Sequence, residues 1–230
     1  MDPHRKFWNQ GHQKLQHALS TSGHGKAIEL FLNQHAMVHS AKVSKTKLWS
    51  FEDEVLNDAT EAQIRCIPPG SSSNGHSIAW ILFHLARIED ITMNMLVAGS
   101  PQLFVRDGWA KKLKVTTLYI HSGNQMDEVS VATLSAEIDI DALRIYRQSV
   151  GRGTRALVGK LKPEELKQKV EAARLQKVME EGALLPEAIG ILNYWSKRTI
   201  AGLLLMPPTR HNFLHLNEAL RIKHRLQRTI

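Results

Sequence analysis

The chain has a single cysteine among 230 residues, Cys66, and it stands outside any CxxC or Cys/His spacing. One thiol cannot close an intramolecular disulfide, and without paired ligands it cannot hold a zinc ribbon or run a thioredoxin-like exchange. Long apolar runs are also missing. The longest, Ile78–Leu85 and Ala201–Met206, fall far short of the roughly 20 residues a membrane helix needs, so no membrane span is expected. No apolar segment follows the charges of MDPHRKFWNQ, which leaves the cytoplasm as the expected location. There is no GxSxG, HExxH, Walker loop or GxGxxG, no repeat with a period of 20–50 residues and no low-complexity tract. The commonest sequence signatures of hydrolytic, nucleotide-dependent and solenoid proteins are therefore absent.

What is there is enough for one sizeable core. Of the residues, 43% are hydrophobic and 23% charged, a balance that suits a folded domain rather than a disordered chain. The net charge is +8, and half of it sits in the last 22 residues, where Arg210, Arg221, Lys223, Arg225 and Arg228 face one acid, Glu218. No basic stripe with interleaved aromatics, zinc-finger spacing or RNP signature accompanies it, which argues against nucleic acid as the partner.

The chain reads as helices. Residues 4–19 place Trp8, His12, Leu15 and Leu19 on one side, ahead of the polar break STSGHG at 20–25, and predict a short helix preceding the main fold. From Lys26 to about Val43, Ile28, Phe31, Leu32, His35 and Val38 recur at three- and four-residue steps, as in an amphipathic helix. A small helix is predicted near Phe51–Leu56, and PPGSSSNG at 68–75 is a loop. The strongest helix, Ser77–Val97, lacks Gly and Pro and stops at Ala98-Gly99-Ser100-Pro101; Trp80, Ile81, His84, Ile88, Ile91 and Met95 share one face. Residues 101–133 are poorly periodic, and an insertion of that length is expected near a pocket mouth. Asp141 is read as the cap of a helix reaching Leu161, and the charged stretch 163–182 as peripheral. A fourth helix is predicted over Leu185–Leu205, interrupted by Pro207-Pro208, with Thr209 capping the last one. Without alternating strands this is an all-α bundle, residues 26–230, behind an N-terminal helical extension, 1–25.

Twelve histidines remain to be explained. His35/His39 and His211/His215 have the i, i+4 spacing that stacks imidazoles on a helix. On the last helix His211, His215 and Glu218 share a face, and if it turns inward the imidazoles must be hydrogen-bonded, protonated beside Glu218, or bound to a cation. His84, in the middle of the apolar stripe, is the natural third donor, because bundle cores build metal sites from facing helices. Three histidines leave coordination positions open, as in a catalytic metal site. Hydrogen-bonded core histidines are the competing reading. His35/His39 reads as pocket lining or packing, and His4, His12, His17, His24, His76, His121 and His224 are placed on the surface. Arg210, Arg221, Arg225 and Arg228 form a solvated edge beside the histidine face.

The runs SIAWILFHLARIEDITMN and TRHNFLHLNEA resemble the DinB/YfiT-like metalloprotein superfamily, over roughly residues 26–226. The resemblance implies an up-down-down-up four-helix bundle, with an extra N-terminal helix and a long insertion, and a divalent metal, Zn²⁺ or Ni²⁺, on His84, His211 and His215. Many members carry Gln where this chain has Glu218; that residue, or Glu89, is expected to orient a ligand or move a proton. Family activities include isomerases and S-transferases that use mycothiol or bacillithiol. They imply a thiol-dependent transferase or isomerase with a low-molecular-weight thiol as cofactor and a small-molecule substrate. A metal-dependent hydrolase and a non-catalytic bundle with structural histidines are the alternatives. A homodimer is the expected assembly. With only Cys66 in the chain, the thiol of any such chemistry is expected to arrive as a cofactor.

Overall fold

Every residue from Ile78 to Asp90 is buried, so the strongest helix of the sequence is the central element of the fold. The computed structural model describes residues 2–21, 23–46, 49–69, 75–116 and 119–228. Against the central helix, α3 (Ile78–Asp90), pack α4 (Ile140–Val158) and α5 (Asn212–Arg228); α2 (His24–Val38) lies against α5, and α1 (Pro3–Ser20) packs on α2, with shorter helical pieces between them. Among the described residues the one pairing of β type is an isolated bridge between Lys169 and Thr199, and the fold is all-α as expected. No helix among them is long and apolar enough to cross a membrane.

The core has two lobes that share α3 and its continuation. Ile78–Ala86 packs with Trp109, Leu143, Tyr146 and Leu216, and Ile88–Val97 packs with Phe31, Val178, Trp195 and Leu203. At the join α3 carries a layer of buried polar groups, His84, Arg87, Glu89 and Asp90, each of which needs partners. Asp90 accepts the backbone N–H groups of Leu103 and Phe104, the Tyr146 hydroxyl at 2.6 Å and the Asn94 amide. Arg87 donates to the carbonyls of Ile120 and His121 and to Gln102. Two side chains of the central helix thus hold the start and the middle of the long insertion.

Several boundaries differ from the sequence reading for visible reasons. α1 does not stand ahead of the fold. Trp8 is fully buried and its ring lies flat on Phe213, with centroids 3.9 Å apart and planes 4° apart, and His12, expected on the surface, is buried beside it. α2 ends at Val38; His39 is extended and Ser40 caps a separate short helix, Ala41–Ser44. The small helix lies at Phe51–Leu56 as predicted. Most of the predicted loop at 68–75 falls outside the described residues. α3 widens after Asp90 into a π-type segment, Ile91–Val97. Asp139, two residues before the expected Asp141, caps α4 by accepting the Ala142 N–H at 3.0 Å.

The fourth helix is broken into Ile189–Ser196 and Ile200–Leu204 because the Thr199 hydroxyl accepts the Gly202 N–H and starts a new helix. Pro207-Pro208 does not interrupt the chain before α5. Both lie in a π-type turn, Met206–His211, that runs directly into α5, and Thr209 donates back to the Leu204 carbonyl instead of capping.

Candidate metal centre

α3 and the start of α5 bring three imidazoles together. The ligand nitrogens of His84, His211 and His215 lie within 4.8 Å of one another. The Nε2 atoms of His84 and His211 are 3.1 Å apart. That separation is close to the roughly 3.3 Å edge of a tetrahedron whose corners lie about 2.0–2.1 Å from a central zinc.

The outer nitrogens decide which tautomers face the centre. His84 Nδ1 is 2.7 Å from the Ser122 carbonyl, which only accepts, so Nδ1 carries the hydrogen and Nε2 presents a lone pair. His215 Nδ1 donates to Glu218 Oε2 at 2.8 Å, and His76 Nδ1 donates to Oε1 at 2.9 Å. Burial pushes Glu218 upward, but the hydrogen bonds from His215 and His76 outweigh it and hold the carboxyl down at about 2. It is an anion at neutral pH. Burial, with the neighbouring His215, pushes His84 down to about 3, and burial with His84 and His215 pushes His211 well below the usual histidine range. Both rings are neutral at pH 7, with lone pairs to offer. A carbonyl or carboxylate behind a ligating histidine is the usual support of a metal site, and the donor set fits a divalent ion. His211 Nδ1 alone has no partner.

The three histidines open onto a cavity of about 260 Å³. One wall is a ladder of parallel rings, His76 on Trp80 at 3.7 Å and Trp80 on His84 at 4.8 Å. Gly123–Met126 also lines the cavity, packed against Trp80, so the long insertion does lie at the pocket as expected. Gly123 has φ +87°, a conformation that favours glycine, and its Cα is so near that a Cβ would sit 3.6 Å from His84 Nδ1. A larger cleft of about 540 Å³, at Trp49, Asp53, Glu54 and Arg144, contains none of these histidines.

A second group, His35, His39 and Glu89, could also bring ligand atoms within reach of one ion. Glu89 does not line the cavity; it sits fully buried in this group. Here the outer contacts differ. Glu89 Oε1 accepts from His35 Nε2 at 2.9 Å and Thr154 at 2.7 Å, and Oε2 from His39 Nε2 at 2.8 Å and Asn212 at 3.1 Å. Four donors saturate the carboxylate, while Nδ1 of both histidines lacks an acceptor. With Nε2 protonated on both rings, the cluster is complete as a hydrogen-bonded anion, and Gly151 makes room for it, since a Cβ there would come within 2.8 Å of His39 Nδ1. Burial is the largest influence on His39 and lowers it to about 3, whereas hydrogen bonds and the nearby histidines hold Glu89 well below its usual value against burial.

The sequence reading missed three parts of the site. His76, placed on the surface, is half-buried against Trp80 and Glu218; the spacing His76, Trp80, His84 repeats every four residues and was the available signal. His121, also placed on the surface, is buried, and its Nδ1 accepts the Gly123 N–H. The Ser122 carbonyl is a backbone group, which no side-chain pattern reveals.

An all-α bundle with three converging histidines and open space beside them defines a class of helical protein whose histidines could hold a metal ion. Residues 49–218 match the model of the DinB superfamily, and the chain belongs to that superfamily. The match includes His84, His211, His215 and Glu218 and excludes α1 and α2, so it is shorter at both ends than the span expected from the sequence. No curated protein matches the chain.

Proposed function

We propose that this protein is a metal-dependent enzyme in which His84, His211 and His215 hold a divalent ion, Zn²⁺ or Ni²⁺, and a low-molecular-weight thiol is the second cofactor. The observation that carries the reading is the 3.1 Å approach of the neutral His84 and His211 Nε2 atoms, with Ser122 and Glu218 bonded to the outer nitrogens of His84 and His215 in ligating tautomers. When bound, such an ion would lower the pKa of a thiol or water and supply a nucleophile at neutral pH.

The chain's own residues have distinct tasks. His84 and His215 present Nε2 because Ser122 and Glu218 hold their Nδ1 hydrogens. Glu218, an anion shared by His215 and His76, is placed to take or return a proton through the His76 imidazole at the cavity wall. Trp80 and Met126 narrow the cavity and exclude water. Among the described residues the cavity wall carries no cysteine, serine or lysine, which favours a nucleophile carried by a bound molecule. S-transfer or isomerisation of a small electrophile is the favoured reaction, and metal-assisted hydrolysis is the second reading, favoured by the same lack of a nucleophilic side chain. Glu89, saturated within its own cluster, supports the bundle rather than the reaction. A homodimer in the cytoplasm remains part of the reading, and light scattering on the purified protein reads its size.

Elemental analysis of the purified protein and of a His84→Ala, His211→Ala double variant tests the site. About one equivalent in the first and none in the second is expected; equal metal in both overturns the proposal. Supplying small thiols with electrophilic substrates to the loaded protein then separates transfer from hydrolysis, which needs no thiol.

A further inference from the structure

Arg87 is fully buried, three residues after His84 on the same helix, and the metal reading gives it no task. Its Nη2 donates to the Ile120 carbonyl at 2.6 Å and to Gln102 Oε1 at 2.5 Å, and its Nε to the His121 carbonyl at 3.4 Å. Nη1 donates to the Tyr146 hydroxyl at 3.1 Å, the guanidinium lies 3.9 Å over the Phe104 ring, and Asp90 supplies the counter-charge at 3.6 Å. The next carbonyl in the chain after those of Ile120 and His121 is that of Ser122, which accepts from His84 Nδ1. One helix therefore carries both the ligand and the cation that ties down the loop behind the ligand.

We infer that Arg87 is a positioning residue: by fixing the Ile120–Ser122 backbone it holds the Ser122 carbonyl at His84 Nδ1 and so selects the tautomer whose Nε2 faces the ion. A planar guanidinium with several fixed N–H donors can bridge adjacent carbonyls and Gln102 at once, whereas a lysine ammonium cannot reach them in the same geometry. The same backbone leads into Gly123–Met126, the cavity wall, so the tie also sets where a substrate meets the ion. The Ser122 N–H, bonded to the Ala183 carbonyl at 2.9 Å, is the loop's second anchor; it is a single bond and fixes the peptide less firmly. This deepens the proposed metal site and rests on it for the affinity readout alone.

The test reads the imidazole nitrogens by ¹⁵N NMR in metal-free protein, then Co²⁺ affinity by competition and the visible spectrum of the Co²⁺ form. In the wild type His84 is expected as the Nδ1–H tautomer. Arg87→Lys is expected to mix in the Nε2–H form, to weaken Co²⁺ binding about 10–100-fold and to alter the spectrum. Gln102→Ala, which removes one partner of the guanidinium, shifts the same signals the same way by less, and serves if Arg87→Lys does not fold. Tyr146→Phe lowers stability by removing the hydroxyl shared with Asp90 but leaves the loop tie, and keeps the wild-type tautomer and spectrum. A wild-type tautomer in every folded Arg87 and Gln102 variant, an Nε2–H form in the wild type, or an equal shift in Tyr146→Phe overturns the inference. If the tautomer responds as expected while the wild type takes up no metal, the metal reading fails and the positioning role stands.

Discussion

His84 and His211 meet Nε2 to Nε2 at 3.1 Å, with ring planes inclined at 68°. Since His84 Nδ1 carries the hydrogen, its Nε2 can only accept, and the contact is either an N–H donated by His211 or two lone pairs directed at one cation. The second arrangement is stabilised by metal and the first is not. Adding Zn²⁺ or Ni²⁺ to chelator-treated protein is expected to raise the unfolding midpoint, because a ligand present at about 100 times its Kd stabilises by roughly 2.7 kcal/mol. Chelator should reverse the shift, and His84→Ala should abolish it. Calorimetry that finds no metal-dependent shift in the wild type rejects the site.

Glu218 is only partly buried, so its replacement should not endanger the fold. Glu218→Gln leaves one carbonyl oxygen for two histidine donors, His76 and His215. Loss of a partner behind a ligating histidine typically weakens metal binding about 10–100-fold. Competition titration with a chromophoric chelator should show that loss alongside a nearly unchanged thermal midpoint.

Glu89→Ala has the opposite signature. It strands four buried donors, from His35, His39, Thr154 and Asn212, and removing one member of such a cluster destabilises by about 3–5 kcal/mol. Against a total stability of about 5–15 kcal/mol this is a large loss, visible as a much lower urea midpoint. Metal stoichiometry at 20 °C should stay at the wild-type value in whatever fraction remains folded. A folded, stable variant that had lost one equivalent of metal would instead make His35, His39 and Glu89 a metal site.

The N-terminal helix offers a test of packing alone. Trp8 has no exposed surface and stacks on Phe213, two residues from His211 and His215 in sequence. Trp8→Ala should lower stability by about 3–5 kcal/mol in chemical denaturation. A change below about 1 kcal/mol would mean that α1 is an appendage after all.

The central helix, the small helix at Phe51–Leu56 and the inward face of α5 were all legible, because each rests on local spacing in the sequence. The breaks were harder. Thr199 starts a new helix and Pro207-Pro208 fits inside a wide turn only because neighbouring carbonyls, such as that of Leu204, find side-chain partners. The site divides the same way. His84, His211 and His215 share faces that a helical wheel gives, and His76 continues the four-residue spacing of Trp80 and His84, whereas the Ser122 carbonyl and the task of Arg87 depend on an insertion whose path follows from tertiary contacts. His12 and His121 were misplaced for related reasons: α1 packs against α2 instead of standing apart, and His121 lies inside the irregular insertion, which folds onto α3.

Buried neutral imidazoles give the metal-free protein a definite response to acid. His84 and His39 are held at about 3, chiefly by burial, while an unfolded chain binds a proton on each near pH 6.5. Below that pH the unfolded state takes up more protons than the folded one, so stability falls as pH falls, by about 1.4 kcal/mol per pH unit for each fully buried histidine. Glu218, held at about 2, acts in the same direction: its contribution is present above the usual carboxylate range and is lost as pH drops toward 2. Urea midpoints of chelator-treated protein should therefore decline steadily from pH 7 to pH 5, before ordinary carboxylates titrate. His84→Gln removes one of these buried imidazoles and should make that decline shallower. A midpoint that holds level between pH 7 and pH 5, or a slope unchanged by His84→Gln, would mean that the His84 ring is already protonated or exposed, and the lone pair on which the metal centre depends would not exist.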